Sequence, residues 1–221
     1  MTISLNAWVR GLKQIINIHY LSKRINFKFI IGAIRKIILE SKNRNTPWLN
    51  TPAIHLLDNW IKPNDKILEF GSGQSTIWFA TKTKNIISVE HNKDWYKQIK
   101  FKLNKIKVKY IFAKNKTEYL AIFNKIKNES IDICLVDGEY RRDCIIKVAS
   151  KIKIGGLMIF DNAETYLPVT WKSNSFQDTW EQRGKPEKQK NIKIQKLLQK
   201  FRILVTSDVT QDTIFFVKNE R

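Results

Sequence analysis

Between Lys66 and Asp161, short apolar runs alternate with helical patterns, and this alternation constrains the fold more than any other feature of the chain. The runs lie at residues 66–70, 86–90, 108–113, 131–137 and 156–161, and helical spacing fills the gaps at 75–81, 94–103, 117–127 and 142–151. Strands apolar on both sides must be covered on both sides. The pattern therefore predicts an α/β chain, a doubly wound and mostly parallel sheet with helices on each face. The chain then ends differently, with a helix over 192–201 and runs at 203–206 and 213–217. Ser207 to Asp212 is a short enough connection for an antiparallel hairpin at the sheet edge, which brings the expected sheet to seven strands.

Upstream, Thr51-Pro52 reads as an N-cap followed by proline at the first helical position, opening a helix to about Ile61. Residues 1–46 have a different texture. Nine Lys/Arg face one Glu before Thr46, and two stripes (Leu5, Trp8, Leu12, Ile15, Ile16, then Phe27, Ile30, Ile34, Ile37) recur at helical spacing. We read 1–46 as a basic amphipathic helical extension and 47–221 as the main domain. The extension either docks on that domain or a second subunit, or lies on an anionic membrane face. Within the main domain, 164–191 is a long irregular segment with Tyr166, Trp171, Phe176 and Trp180 among polar residues. It follows the fifth strand, so it is expected to overhang the carboxyl ends of the sheet as a substrate lid.

Composition narrows the field. With 221 residues and 43% apolar content, the chain can build one full core, and 8 Gly and 5 Pro argue against disorder or collagen. The most apolar stretch, 27–39, is cut by Lys28, Arg35 and Lys36, short of the roughly 20 residues a bilayer needs. The opening residues lack the pattern of a secretory signal, and Cys134 and Cys144 sit in apolar elements; the expected location is the cytoplasm, at most peripheral to the membrane. The net charge is +20, but Lys supplies 31 of the 40 basic residues, and Ile, Lys and Asn fill 81 positions. Those three share AT-rich codons, so the charge does not require a nucleic-acid partner, though it leaves one open.

The chemistry begins at Ile67-Leu68-Glu69-Phe70-Gly71-Ser72-Gly73-Gln74-Ser75-Thr76. A strand runs into a glycine turn and then a helix, so backbone approaches a ligand closely beside a helix N-terminus. Glu69 would repel a pyrophosphate but suits a cationic ammonium group, and Thr76 stands where a dinucleotide fingerprint has its third glycine. Glu90 ends the next strand, placed to accept hydrogen bonds from ribose hydroxyls.

In these motifs the chain resembles the class I S-adenosylmethionine-dependent methyltransferases over about residues 47–164. The E-x-G-x-G loop is Glu69 to Gly73, the second-strand acid is Glu90 in Val89-Glu90-His91, and the fourth-strand acid is Asp137 in Leu135-Val136-Asp137-Gly138. The fifth strand reads Gly155-Gly156-Leu157-Met158-Ile159-Phe160-Asp161-Asn162. The terminal helix and hairpin are similar to that family's last two strands. The resemblance implies a Rossmann-like fold and S-adenosyl-L-methionine as cofactor. It further implies that Gly71, Ser72, Gly73 and Ser75 lie along the methionine part, that Glu69 orients its ammonium, and that Glu90 with His91 lies at the ribose. Asn115 is the candidate adenine contact, and Asp137 supports the donor.

For the reaction, Asp137-Gly138-Glu139-Tyr140 lacks the Asn/Asp-Pro-Pro-aromatic motif of amino-group methylases, and no cysteine stands beside prolines there. Asp137 with Asp161-Asn162 instead is similar to the metal ligands of catechol-type O-methyltransferases, which implies Mg²⁺ or another divalent cation on hard oxygen donors. Strand-end capping is the plainer reading of the same three residues. Where those enzymes carry a lysine, this chain has Glu139-Tyr140-Arg141, so either base chemistry falls to Tyr140 or the metal, or the metal is absent. Arg141 and Arg142 either clamp an anionic acceptor or open a solvated helix.

His91 and His55 read better as packing residues than as bases. The expected function is O-methylation of a small-molecule or glycan hydroxyl. The rivals are RNA methylation, nicotinamide-dependent oxidation and reduction, and a cofactor-free interaction protein.

Overall fold

The computed structural model describes Ile31 and residues 46–167, 188–208 and 211–219. The helical extension, apart from Ile31, and the central part of the expected lid (168–187) lie outside the described residues.

The elements follow one another as α1 (Thr51–Trp60), β1 (Lys66–Phe70), α2 (Gln74–Lys82), β2 (Asn85–Glu90), α3 (Lys93–Lys102), β3 (Lys109–Phe112) and α4 (Lys116–Ala121), which runs on as a 3₁₀ turn (Ile122–Lys125). Then come β4 (Ile131–Val136), α5 (Arg141–Val148), β5 (Ile152–Asp161), α6 (Ala163–Tyr166), α7 (Lys188–Leu198), β6 (Phe201–Ser207) and β7 (Asp212–Lys218). The seven strands form one sheet in the order β3-β2-β1-β4-β5-β7-β6. β1 to β5 are parallel, and β7 is antiparallel to both β5 and β6. This is the sheet the alternation predicts.

Strand residues alternate between two cores. Leu68, Phe70, Cys134, Val136, Met158 and Phe160 pack under α4, α5 and α7. Ile67, Ile133, Leu135, Leu157 and Ile159 face α1 and α2 through Ala53, Leu57 and Phe79. Burying each such side chain stabilises the fold by about 1.5–3 kcal/mol. Because β1 lies between β2 and β4, and strand order reverses there, the loops after these three strands open a crevice at their carboxyl ends. Phe70 pairs with both Val89 and Val136, so the three ends stand level.

Several boundaries differ from the expected ones. Asn50, not Thr51, caps α1: its Oδ1 accepts from the Ala53 N–H at 2.9 Å. Its amide also donates to the Thr206 carbonyl and to Thr213 Oγ1, tying the helix start to the terminal hairpin. β5 begins at Ile152 rather than 156, because Ile152 pairs with Ile131 before the register shifts, and Gly155 at φ +72° absorbs the shift. The helix expected over 117–127 tightens to 3₁₀ after Ala121, and α7 ends before Phe201, which opens β6. The segment read as irregular from 164 starts in α6, and its far end, from Lys188, already belongs to α7.

Candidate functional site

Gly71 leaves β1 at φ +94°, a conformation that favours glycine. Gly73 caps α2 in extended backbone, and a Cβ there would meet nothing closer than Trp95 Cζ2 at 4.0 Å. The turn is thus tight on the Gly71 side and open on the Gly73 side. Trp95 holds it from above, its indole N–H donating to the Ser72 carbonyl at 2.6 Å.

Glu69 is fully buried beneath this turn. Ser75 Oγ and Thr76 Oγ1 donate to its carboxylate at 2.5 Å and Ser88 Oγ at 2.6 Å, while the Gly73 N–H donates to Thr76 Oγ1. Burial pushes its pKa up to about 7, against the pull of the three hydroxyls, and Asp137 adds to the rise. A carboxyl poised near neutrality under a ligand turn responds to any cation placed above it.

At the end of β2, Glu90 is nearly as buried. Its Oε2 accepts from the Ser72 N–H and Oγ, both at 3.0 Å, and its Oε1 from the His91 and Asn92 N–H groups at 2.9 and 2.7 Å. Tyr110, which sequence reasoning missed, closes the group: its hydroxyl lies 2.6 Å from Ser72 Oγ and its ring stacks on Tyr96. His91 Nδ1 lies 3.2 Å from Glu90 Oε1, and its ring meets Tyr119 edge-on. Asn115 caps α4 through its Oδ1, which accepts from the Glu118 N–H at 3.0 Å. His55 lies on α1, where its carbonyl accepts from the Asn59 amide.

Beyond β4, Gly138 presses against Gly71 on one side and the Tyr119 hydroxyl on the other. Tyr140 adopts a left-handed conformation at φ +52° and starts α5, its ring T-shaped on Tyr119. Asn162, also left-handed at φ +51°, turns the chain after β5. Of the three residues read as metal ligands, Asp137 and Asn162 turn their side chains to a guanidinium, and Asp161 gives it only its backbone carbonyl. Arg141 Nη2 donates to Asp137 Oδ1 at 2.9 Å and Nη1 to Asn162 Oδ1 at 3.3 Å. Asp161 Oδ1 turns away toward β7, accepting from Thr213 Oγ1 at 2.6 Å because Asp161 and Thr213 are register partners.

Burial of Arg141 opposes its charge, yet Asp137 holds its pKa above the usual arginine value. This set does not fit a divalent cation, since the side-chain oxygens of Asp137 and Asn162 already face a positive charge and the Asp161 carboxylate is directed to Thr213. No group of three His, Cys, Asp or Glu among the described residues could hold a metal. Arg142 donates from Nε to the Tyr166 carbonyl, holding α6 to α5.

No family model matches the chain, and no curated protein matches it. Solved structures do. A protein named as a caffeoyl-CoA O-methyltransferase from Staphylococcus aureus superimposes with a TM-score of 0.54 at 19% identity, over 97% of this chain and 100% of that one. An rRNA methylase from Streptococcus thermophilus gives 0.51 at 9% identity, over 77% and 98%. A SAM-dependent O-methyltransferase from Thermotoga maritima gives 0.50 at 18% identity, over 83% and 71%. The chain has the class I methyltransferase fold.

Proposed function

We propose that this chain is an S-adenosylmethionine-dependent methyltransferase acting on a hydroxyl of a small molecule or glycan. The observation that carries the reading is the level placement, at the carboxyl ends of β1 and β2, of an open glycine turn, a buried carboxyl under it and a second acid beside it. The backbone at Gly71 and Gly73 would follow the methionine part, Glu69 would answer its ammonium through the hydroxyl network, and Glu90 would take the ribose. When bound, the cofactor would supply a methyl group on a sulfonium to the acceptor hydroxyl, with a C–O bond replacing the C–S bond and the hydroxyl proton released. Positioning by the chain carries much of such a rate.

Oxygen is favoured as the acceptor atom because the loop after β4 lacks the prolines of amine methylases. Burial also pushes both cysteine thiols up, so neither Cys134 nor Cys144 offers a thiolate for base methylation.

Calorimetric titration with S-adenosylhomocysteine tests the reading. Micromolar binding, with none for NADH, is expected; folded protein that ignores S-adenosylhomocysteine would sink it. RNA as acceptor is the second reading, favoured by the +20 charge. It requires RNA affinity that falls steeply with salt, whereas a small acceptor would bind almost independently of salt.

A further inference from the structure

Arginine carries five N–H bonds in a planar fork. In Arg141 each has an acceptor on the chain itself. Nε donates to the Gly138 carbonyl at 2.9 Å. Nη1 donates to the Asp161 carbonyl at 2.5 Å and to Asn162 Oδ1 at 3.3 Å, and Nη2 to the carbonyl and Oδ1 of Asp137 at 2.7 and 2.9 Å. The Tyr166 ring covers one face, 4.7 Å from the guanidinium carbon. No N–H remains to clamp an anionic acceptor. The five acceptors are one carboxylate, one side-chain amide and three backbone carbonyls, from the loops that end β4 and β5. That is the oxygen chemistry a hard divalent cation would select.

We propose that the Arg141 guanidinium stands in place of a divalent cation, neutralising Asp137 and tying together the carboxyl ends of β4 and β5, so that the acceptor side of the site is assembled without a metal. The acceptor half of this statement rests on the methyltransferase reading; the clamp itself does not. Arg141 is then a positioning residue. Its fork fixes Asp137 and the left-handed Asn162 at once, and no second cation can share the same oxygens against its charge. A consequence follows for the acceptor: its hydroxyl is not acidified by a Lewis acid at these residues and must lose its proton by another route.

The test is a Mn²⁺ titration of the full chain, following the spin-resonance signal of free aqueous Mn²⁺, with thermal melting and S-adenosylhomocysteine calorimetry in parallel. Wild type is expected to take up no Mn²⁺ at millimolar concentration and to melt alike in Mn²⁺ and in chelator. Arg141→Ala should melt lower, bind one equivalent of Mn²⁺ in the vacated oxygens, and regain most of the lost stability with it. Rescue by a dication is a response that a merely space-filling arginine would not give. Arg141→Lys keeps the charge with fewer and differently directed donors, and should exclude Mn²⁺ while recovering only part of the stability.

Stoichiometric uptake by wild type that Asp137→Asn abolishes would overturn the proposal, and that measurement needs no Arg141 variant to fold. A folded Arg141→Ala that ignores Mn²⁺ would overturn it too. Wild type that shows the expected Mn²⁺ pattern but binds no S-adenosylhomocysteine would remove the methyltransferase reading and leave the clamp standing.

Discussion

Gly71 and Gly138 stand back to back: a Cβ on Gly71 would lie 2.5 Å from the Gly138 nitrogen, and one on Gly138 would lie 2.8 Å from the Gly71 nitrogen. The glycine turn after β1 and the loop after β4 are therefore a single packed unit, with backbone against backbone and no flexible side chain to yield. Gly71→Ala adds left-handed strain to this clash and should cost about 2–4 kcal/mol. Gly73→Ala meets neither obstacle on the protein, so its stability should stay within about 0.5 kcal/mol of wild type. Its methyl would instead project where a ligand must approach, and S-adenosylhomocysteine binding should weaken about tenfold or more, at least ~1.4 kcal/mol. Melting and calorimetry on the pair separate the two roles; equal losses of stability would refute this division of the turn.

The buried carboxyl of Glu69 predicts a pH dependence with a definite sign. Burial raises its pKa from 4.5 to about 7 in the folded chain. Between those values the folded state holds a proton that the unfolded state has released, so stability falls as pH rises across the window and levels off above about 7. The difference is roughly 3 kcal/mol. Glu69→Gln, which mimics the protonated form, should lose this component when melting curves at pH 5 and pH 8 are compared with wild type. A cationic ligand above the turn would lower the Glu69 pKa. S-adenosylhomocysteine binding near neutral pH should then release protons, read as a dependence of the calorimetric heat on the buffer's ionisation enthalpy. Glu69→Gln should abolish that release.

The Glu90 carboxylate offers about four lone-pair positions, and the chain's own donors fill four: the Ser72 N–H and Oγ and the N–H groups of His91 and Asn92. A ribose hydroxyl arriving there must displace one. Ser72 Oγ is the donor with another partner, Tyr110, so it gives way most cheaply. Ser72→Ala removes the competitor, and affinity for S-adenosylhomocysteine should rise several-fold, about 1 kcal/mol. Unchanged affinity would mean that the donor's hydroxyls do not reach Glu90.

What the sequence made legible here is local. Glu69, Gly71, Gly73 and Glu90 announce themselves because strand ends and glycine turns are written in adjacent residues, and the order of apolar runs implies the sheet. Partners far apart in the chain are not written anywhere. Thr213 reaches Asp161, and Asn50 reaches the hairpin, only because β7 inserts beside β5. Tyr119 reads as one more apolar position on a helix, yet its hydroxyl presses on Gly138. Asp137, Asp161 and Asn162 are legible as neighbouring oxygen donors, but not that the side chains of Asp137 and Asn162 meet Arg141 while the Asp161 carboxylate turns to Thr213. Arg141 reads equally as an anion clamp or a solvated helix start, and neither shows that its side chain folds back along the loop. Residue type alone favours Thr51 as the cap of α1, whereas the cap is the neighbouring Asn50, which also has the hairpin to hold.

Trp95 turns the glycine turn into an optical reporter. Its indole N–H bonds the Ser72 carbonyl, its ring edge stands beside Gly73, and Trp48 lies tilted 6.1 Å away. A ligand seated along Gly71 to Gly73 would change the polarity around this indole, so S-adenosylhomocysteine should alter the intrinsic fluorescence in a saturable way. Seven tryptophans contribute to the total signal, and Trp78, buried on α2 in the core that faces α1, should contribute little to the change. Trp95→Phe keeps most of the ring packing and loses one hydrogen bond, at a cost of about 1 kcal/mol. It should erase most of the fluorescence response while calorimetry still detects binding, weakened a few-fold. A response that survives Trp95→Phe undiminished would place the ligand away from this turn, and the assignment of the β1 loop as the donor site would fail with it.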